Sequence, residues 1–322
     1  MIRCVILIGV AVIAAAGAGY AIHSEFGHRL DERCRATYPL VNGDVVCGEG
    51  DVIRKTGYLE TRNAIAELID ARRDEGIDSA SVYFRDLVRG PVFGIAELEP
   101  FAPASLLKLP LAFVFLAVAD DMPEILETNV GYTGETAVND QRMQPAESAQ
   151  PGVSYRIREL LRMMLAHSDN ASYQTLESYI SEAEDRARVR HEVFQELGVI
   201  DPKDRLETTL SVRGYASLFR ILYNASYLSA AHSQLVLEWL SSSPFKAGIV
   251  AGVPEDVAVA HKFGERDRPD GSKELHDCGI VYYPENPYLL CIMTRGTDWD
   301  VQTSLIAEIS RRVYQEVSSR AL

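Results

Sequence analysis

The chain has 322 residues, of which 47% are hydrophobic and 24% are charged, so it can form one large or two small globular domains with a substantial core. Its 46 acidic residues outnumber its 32 basic residues, which gives a formal net charge of −14. This charge argues against nucleic acid as a partner and against binding to an anionic membrane surface through basic patches. The sequence has no glycine pattern of dinucleotide or P-loop sites and no Cys/His spacing typical of zinc, so we expect neither a cofactor nor a metal.

The N-terminus carries an uncharged apolar run. Cys4 to Ile22 contains no charged residue, and its nineteen residues would form a helix just long enough to cross a bilayer core. Within the run, Ala16-Gly17-Ala18 resembles the small-residue cleavage site of a secretory signal. Residues 1–22 are therefore either a membrane anchor or a signal peptide, and the length of the run favours the anchor. In both cases we expect the rest of the chain to be extracytoplasmic.

Export makes the cysteine pattern informative, because disulfides persist in oxidising compartments. We assign residues 23–56 to an extracytoplasmic linker in which Cys34 and Cys47 are expected to form a disulfide that contributes about 3 kcal/mol in the loop-entropy model. Cys278 and Cys291 lie in apolar, strand-like runs and are interpreted as small buried hydrophobic residues. A bridge between them across neighbouring strands stays open.

From residue 57 onward, the hydrophobic pattern predicts strands near both ends of the domain and a helical block between them. In chain order, the predicted elements are a helix at 57–73, strands at 80–87 and 92–96 joined by a turn at 88–91, a helix containing Ser105, a mostly helical region at 120–210 with a helix at 155–167, helices at 211–223 and 229–241, strands at 257–263, 275–283 and 288–294, and a helix at 301–317. Two N-terminal and three C-terminal strands can form one antiparallel sheet with the helical block as an inserted lobe. The predicted fold class is therefore α+β, and a cleft between the two lobes is the expected place for a small-molecule site.

The helix expected near residue 105 carries a serine and a lysine three residues apart. Ser105 and Lys108 would share one helix face, so the lysine amine can reach the serine hydroxyl. Serine is a poor nucleophile until a neighbouring group takes its proton, and lysine can do so only if desolvation or another positive charge lowers its pKa. Apolar residues on both sides supply that environment. A Ser-x-x-Lys pattern occurs about once by chance in a chain of this length, so alone it also fits a helix start with a solvated lysine.

Two further short motifs follow in order. Ser168–Asn170 has the sequence Ser-Asp-Asn at the end of the predicted 155–167 helix, and Lys262–Gly264 has the sequence Lys-Phe-Gly at the end of a predicted strand. With Ser-x-x-Lys before them, the sequence resembles class A β-lactamases and penicillin-binding proteins over roughly residues 57–322. The resemblance implies a serine hydrolase domain with a five-stranded antiparallel sheet, flanking terminal helices and an inserted all-helical lobe.

The resemblance implies a catalytic role for three side chains. Ser105 would be the nucleophile that becomes acylated, and Lys108 would accept its proton. Ser168 would pass a proton to the leaving nitrogen. A fourth side chain, Lys262, would act through its charge. It would raise the positive potential near Lys108 and Ser168, which lowers amine pKa values and attracts a substrate carboxylate.

The same resemblance implies a substrate-binding role for further residues. Asn170 would hold the amide side chain of the substrate. The backbone N–H groups of Ser105 and Glu265 would form the oxyanion hole. Gly264 would let a substrate backbone lie close to the edge of the strand. Taken singly, Ser168-Asp169 also fits a helix-terminal turn, and Lys262 a solvated strand end.

The third motif departs from the family pattern. Phe263 stands where a small hydroxyl residue is usual, so a hydrogen-bond donor to the substrate carboxylate is missing. Arg266 or Arg295 could replace it as a carboxylate-binding residue, although a surface arginine is the simpler interpretation of either.

The interval between the second and third motifs is also unusual. It is about ten residues shorter than is normal in this family, and the loss falls in the segment that should form the Ω-loop. That loop normally carries a Glu-x-x-Leu-Asn motif whose glutamate positions the water that cleaves the acyl-enzyme, and no such motif occurs here. Glu207 is the nearest acidic residue, but its position suggests the closing residue of the loop rather than a base.

These observations predict an exported, monomeric serine hydrolase that forms an acyl-enzyme on Ser105 with β-lactams or with D-alanyl-D-alanine-type amides such as peptidoglycan stem peptides. The shortened loop predicts acylation that is faster than deacylation. Two alternatives stay open. One is efficient β-lactamase activity through an unrecognised base such as Glu207. The other is a catalytically silent, membrane-tethered protein that binds peptidoglycan or acts as a scaffold.

Overall fold

The computed structural model describes residues 57–134, 141–199 and 208–320. The predicted anchor or signal at 1–22, the linker at 23–56 with the pairing of Cys34 and Cys47, and Glu207 lie outside the described residues. Within the described ranges, the structure has no helix that combines the length and the apolar character needed to cross a membrane.

The strands are β1 (Ile77–Asp86), β2 (Val92–Ile95), β3 (Asn129–Gly131), β4 (Ser154–Arg156), β5 (Val259–Asp267), β6 (Lys273–Val281) and β7 (Tyr288–Gly296). The α-helices are α1 (Gly57–Ala71), α2 (Lys108–Asp121), α3 (Ile157–Ala166), α4 (Asn170–Ser181), α5 (Glu184–Glu196), α6 (Val212–Tyr223), α7 (Ala230–Ser241) and α8 (Trp299–Arg320). Short 3₁₀ helices lie at Arg73–Glu75, Ala104–Leu107, Pro123–Glu127 and Ile249–Gly252.

The predicted five-stranded antiparallel sheet is confirmed. Its strand order is β2-β1-β7-β6-β5, so the two N-terminal strands pair with the three C-terminal strands through β1 and β7. β5 is an edge strand that pairs with β6 alone in this sheet. Lys262–Gly264 lies in the middle of β5, because the strand continues to Asp267 instead of ending at the motif as predicted. The edge position leaves one side of β5 free to face the helical lobe.

Each face of the sheet is covered by its own hydrophobic core. On one face, α1 and α8 pack against apolar residues of β1, β6 and β7, including Val82, Leu275 and Ile292. On the other face, α2 forms the centre of the inserted helical lobe. Ten of the fourteen residues of α2 are buried, because its sequence is apolar all round rather than on one stripe. The expected inserted lobe is therefore present, and α2 anchors it.

Local sequence signals explain several helix boundaries. Ser211 caps α6 by accepting the N–H of Gly214 at 3.2 Å, and Ser229 caps α7 by accepting the N–H of His232 at 3.2 Å. The helix predicted at 155–167 begins later, at Ile157, because residues 154–156 pair with β3 as strand β4. The backbone hydrogen bonds of these residues are thus made within a two-stranded ribbon.

Cys278 and Cys291 are joined by a disulfide, which corrects our interpretation of them as unpaired hydrophobic residues. They are directly opposite each other on β6 and β7, with a Cα–Cα distance of 3.9 Å, and both are fully buried. Lys262 is the partner of Cys278 on β5, so the three side chains follow one another across the sheet on the face of the helical lobe. The bridge ties together the two strands next to the edge strand that carries Lys262.

We predict that the Cys278–Cys291 bridge contributes about 3 kcal/mol to the free energy of unfolding, because the residues are 13 positions apart in the chain and the bridge restricts the unfolded state. Urea unfolding of the oxidised protein and of a Cys278→Ala/Cys291→Ala variant measures this difference. Reduced wild-type protein is the control that keeps both sulfur atoms in the core. Equal unfolding free energies for oxidised and reduced wild-type protein would contradict the prediction.

Candidate active site

The segment that leads to Ser105 is fixed by buried backbone contacts on both sides. Phe101 and Leu210 exchange two backbone hydrogen bonds, each of 2.9 Å. At the next residue, the Ala102 N–H donates to Glu274 Oε2 at 2.9 Å and the Ala102 carbonyl accepts from His276 Nε2 at 2.9 Å. Glu274 and His276 are both fully buried on β6. The sheet therefore determines where the nucleophile segment lies.

Ser105 and Lys108 lie within hydrogen-bonding distance, as the spacing predicts. Ser105 is part of the 3₁₀ turn Ala104–Leu107, and α2 begins only at Lys108, so the turn type differs from the predicted α-helix. Residues three apart are aligned in a 3₁₀ turn, which brings Lys108 Nζ to 2.8 Å from Ser105 Oγ. The serine and the lysine that the sequence predicts as nucleophile and base thus lie in one continuous helical segment.

The Lys108 amine is buried among oxygen atoms. Besides Ser105 Oγ, it contacts the Ser168 carbonyl at 2.7 Å, Ser168 Oγ at 3.2 Å and Asn170 Oδ1 at 2.6 Å. Only 2% of Lys108 is exposed. Burial lowers the pKa of Lys108 to about 7, while the nearby charges of Asp169 and Glu265 act in the opposite direction. A large share of the amine is therefore unprotonated at neutral pH and can accept a proton from Ser105.

Ser168 occupies the turn between α3 and α4. Its φ of +57° is in the left-handed region, where non-glycine residues are uncommon. The Oγ atom of this residue contacts the amines of both Lys108 and Lys262. Asp169 stabilises the turn as the N-cap of α4, accepting the N–H groups of Ala171 at 3.2 Å and Ser172 at 2.8 Å. The Ser-Asp-Asn motif therefore forms the helix-terminal turn itself. Within it, Asp169 stabilises the backbone by capping α4.

Lys262 reaches the same serine from the sheet. Its Nζ donates to Ser168 Oγ at 2.9 Å and to the Phe263 carbonyl at 2.8 Å, and the residue is 1% exposed. Burial is the main cause that lowers the pKa of Lys262, and the charge of Lys108 lowers it further. The solvated strand end considered from the sequence is excluded. Ser168 Oγ therefore lies between two buried amines and can pass a proton between Lys108 and a substrate.

Asn170 is the first residue of α4 and links the lysine to a neighbouring segment. Its Oδ1 accepts from Lys108, and its Nδ2 donates to Gln141 Oε1 at 3.1 Å. The side chain also lines the two pockets that contain Ser105. It is placed where a substrate side chain would pass, although its present partners belong to the protein.

Gly264 faces the nucleophile segment directly. A Cβ atom at this position would lie 3.3 Å from both the Ser105 nitrogen and the Pro103 carbonyl oxygen. A side chain here would push β5 away from the N–H group of Ser105, which is one of the two expected oxyanion donors. Gly264 thus lets β5 lie close to the protein's own backbone. The close approach of a substrate to Gly264 stays a prediction.

The segment of residues 141–143 connects the helical lobe to the sheet beside this site. Gln141 contacts Asn170, and the Met143 N–H donates to Glu265 Oε1 at 2.7 Å. Burial raises the pKa of Glu265. The carboxyl group of this residue binds the 141–143 segment, and its backbone directly follows Gly264 in the chain. Arg142 extends the connection by an ion pair of 2.7 Å with Asp300. No sequence pattern marks this segment, because its two short polar contacts join elements that are distant in the chain.

Two pockets meet at Ser105. The first has a volume of about 490 Å³ and is lined by Ala102, Pro103, Ala104, Ser105, Leu107, Lys108, Asn170, Tyr173, Thr208, Thr209, Arg266, Arg268 and Pro269. The second, of about 410 Å³, is lined by Ala104, Ser105, Gln141, Arg142, Asn170, Glu265, Arg266, Asp267 and Trp299. Ser105 is therefore open to a ligand from two sides.

The two arginines proposed as carboxylate-binding residues differ in their surroundings. Arg295 is occupied, because it donates to Glu274 at 2.8 Å, to the Pro100 carbonyl at 2.9 Å and to Glu99 at 3.3 Å. Arg266 lines both pockets, and its guanidinium has no hydrogen bond or ion pair among the described residues. Arg266 is therefore the arginine available to a ligand.

Phe263 is buried rather than directed at a ligand. Its ring centroid lies 4.4 Å from that of Phe245, and Lys262 Nζ lies 4.4 Å from the Phe263 ring centroid. The residue is 4% exposed. The Lys-Phe-Gly motif therefore has its lysine and its glycine at the site. The buried Phe263 ring stands where the family pattern has a hydroxyl group.

Comparison with known proteins agrees with this geometry. A family model described as the beta-lactamase enzyme family matches residues 60–317. Among solved structures, the chain is similar to PBP-A, with 22% identity, a TM-score of 0.66 and coverage of 81% of this chain and 96% of that chain. It is also similar to a β-lactamase from Chitinophaga pinensis, with 20% identity, a TM-score of 0.66 and coverage of 80% and 99%.

A third similar structure is a PBP-A mutant described as an acyl-enzyme complex with penicillin G, with 21% identity, a TM-score of 0.66 and coverage of 81% and 97%. At these identities the structural likeness establishes the fold alone. No curated protein sequence matches the chain. The family match covers most of the sequence, and its span includes all three motifs and both walls of the cleft. The chain therefore belongs to the β-lactamase enzyme family of serine hydrolases that act on cyclic amides.

Proposed function

We propose that this protein forms an acyl-enzyme on Ser105 with β-lactams or D-alanyl-D-alanine-type amides and releases the acyl group slowly. The observation that carries the proposal is the buried Lys108 amine 2.8 Å from Ser105 Oγ, with a pKa lowered to about 7. An amine in this state can take the serine proton, which a solvated lysine at neutral pH cannot.

Acylation uses the three polar side chains in sequence. Lys108 takes the proton from Ser105 as Oγ bonds to the amide carbon, and the negative charge that develops on the carbonyl oxygen is stabilised by two backbone N–H groups. Lys108 then passes a proton to Ser168 Oγ, whose own proton goes to the amide nitrogen as the C–N bond breaks. Lys108 is neutral again at the end, and the acyl group is esterified to Ser105.

Substrate binding is assigned to the walls of the two pockets. Asn170 would contact the amide side chain of the substrate, in exchange for its contact with Gln141. Arg266 would bind the substrate carboxylate, because it is the arginine at Ser105 that lacks a partner in the described structure. In its protonated form, the Lys262 amine, held 2.9 Å from Ser168 Oγ, would add to the attraction for an anionic substrate.

The lining of the first pocket supports slow deacylation. None of its described lining residues is acidic. The end of the shortened loop contributes Thr208 and Thr209 to the lining. A water molecule entering from this side would meet no carboxylate of the described residues that could activate it. The acyl-enzyme is therefore expected to persist, as it would in a penicillin-binding protein.

Two other functions compete with this proposal. An efficient β-lactamase would need a base outside the described residues, for which Glu207 is the candidate. A silent peptidoglycan-binding protein would not need the network of Lys108, Ser168 and Lys262. Burying two amines lowers the stability of the fold, and binding alone gives no reason for that loss. The network therefore favours an enzyme. Export through residues 1–22, with membrane attachment, is part of the proposal and is consistent with a cell-wall or β-lactam substrate.

We predict that penicillin G adds covalently to Ser105 and that the adduct forms faster than it disappears. Intact-protein mass spectrometry of the full-length chain, sampled over time after mixing, measures the adduct and its lifetime. Peptide mapping locates it. Ser105→Ala should abolish the adduct, and Lys108→Ala should slow its formation by about 10²- to 10⁴-fold, which is the usual contribution of a general base.

Other outcomes of this experiment identify the competing functions. No adduct on Ser105 at any time would exclude acyl transfer and favour the silent binding protein. Rapid steady-state turnover without a lasting adduct would contradict slow deacylation. If Glu207→Gln then made the adduct persist, Glu207 would be the base of an efficient β-lactamase.

We also predict that Arg266→Gln lowers the second-order rate constant of acylation by about tenfold for a penicillin with a free carboxylate, because a charge-assisted hydrogen bond is lost. A penicillin whose carboxylate is esterified should show little difference between the variant and the wild type. Arg158→Gln, which removes an exposed arginine on α3, is the matched control for net charge. An equal loss with the free and the esterified penicillin would contradict carboxylate binding by Arg266.

A further inference from the structure

Three arginines surround a small pocket on the sheet, separate from the site at Ser105. Arg85 comes from β1, and Arg213 and Arg220 come from α6. The pocket has a volume of about 200 Å³, and its remaining lining residues are Tyr83, Ala216, Ser217 and Leu289. It shares no lining residue with the two pockets at Ser105. The acyl-transfer reaction proposed above gives these arginines no role.

The geometry of α6 explains why a hollow exists between the arginines. Its four lining residues are spaced i, i+3, i+4 and i+7, so they lie on one face of the helix. Arg213 and Arg220 are at the ends of this face, and the small side chains of Ala216 and Ser217 leave space between them. Arg85 lies opposite, in cross-strand register with Leu289 of β7. Long cationic side chains thus rim a depression whose centre is made of small residues.

The charges of this pocket are unbalanced. The guanidinium groups of Arg85 and Arg220 have no hydrogen bond or ion pair among the described residues, and Arg213 has a single carboxylate neighbour, Glu97, at 3.6 Å. Many other arginines of the described structure are paired within hydrogen-bonding distance, as Arg72 is with Glu308 at 2.9 Å. The chain carries 46 acidic residues against 32 basic ones, so carboxylates are not scarce. Three guanidinium groups around one pocket repel one another, and an anion between them would remove that repulsion.

We propose that this pocket, lined by Arg85, Arg213 and Arg220, binds a phosphate group. Guanidinium groups present planar pairs of N–H donors that match the oxygen atoms of phosphate, and three of them offer more donors than one carboxylate can accept. The volume of about 200 Å³ fits a single phosphate with a small substituent. Inorganic phosphate and the phosphodiester of an anionic polymer share this chemistry, and both are tested as ligands.

Isothermal titration calorimetry of the full-length protein tests the site with two probes, inorganic phosphate and glycerophosphoglycerol. We expect saturable binding of at least one probe at a single site, weakened by about tenfold or more in the Arg85→Gln/Arg220→Gln variant. The probe that binds more tightly identifies the source of the phosphate group, and either order supports the site. Far-UV circular dichroism and urea unfolding of the variant, compared with those of the wild type, establish whether it is folded.

The control is Arg158→Gln/Arg311→Gln, which removes two arginines outside this pocket and leaves the same net charge as the test variant. It should bind the preferred probe as the wild type does. The proposal is overturned if neither probe gives saturable heat in the millimolar range. It is also overturned if the test variant binds as tightly as the wild type, or if the control loses as much affinity as the test variant.

Discussion

The structure of the active site depends on the burial of the Lys108 amine, which is unfavourable for its charged form. A lysine removed from water loses the hydration that favours its charged form, so its pKa falls to about 7. The hydrophobic α2 makes this burial possible, because almost the whole helix is enclosed by the lobe. The surrounding hydroxyl, carbonyl and amide oxygens keep the amine satisfied in either protonation state. Stability and reactivity thus share one cause, since the packing that encloses the helix also prepares the base.

The second constraint is the position of the edge strand β5. It brings Lys262 to Ser168 and Gly264 to the backbone of Ser105, so the sheet supplies both a second buried amine and a close-fitting wall. Two residues of β6, Glu274 and His276, fix the nucleophile segment to the same sheet. These contacts all start from the neighbouring strands β5 and β6, so strand pairing places Lys262 and Gly264 relative to the segment that carries Ser105. The 3₁₀ turn and α2 place Lys108, and the turn between α3 and α4 places Ser168.

The sequence predicted the elements and motifs whose signals are local. The five strands, the helices α6 and α7 and the contact between Ser105 and Lys108 depend on residues close together in the chain, and the structure confirms them. The bridge between Cys278 and Cys291 stayed open because it required the register of β6 and β7. The 141–143 segment and the arginine pocket escaped prediction altogether. Both are formed by residues from distant elements whose meeting depends on tertiary packing.

Titration of the Lys108 amine shows whether this side chain is a neutral base at physiological pH. NMR of the full-length protein labelled with ¹⁵N at the lysine side chains can follow each amine across pH, with Lys108→Arg used to assign the resonance. The structure predicts that Lys108 titrates near 7, because burial outweighs the opposing charges of Asp169 and Glu265. A Lys108 amine that stays protonated up to its ordinary value of 10.5 would contradict the account.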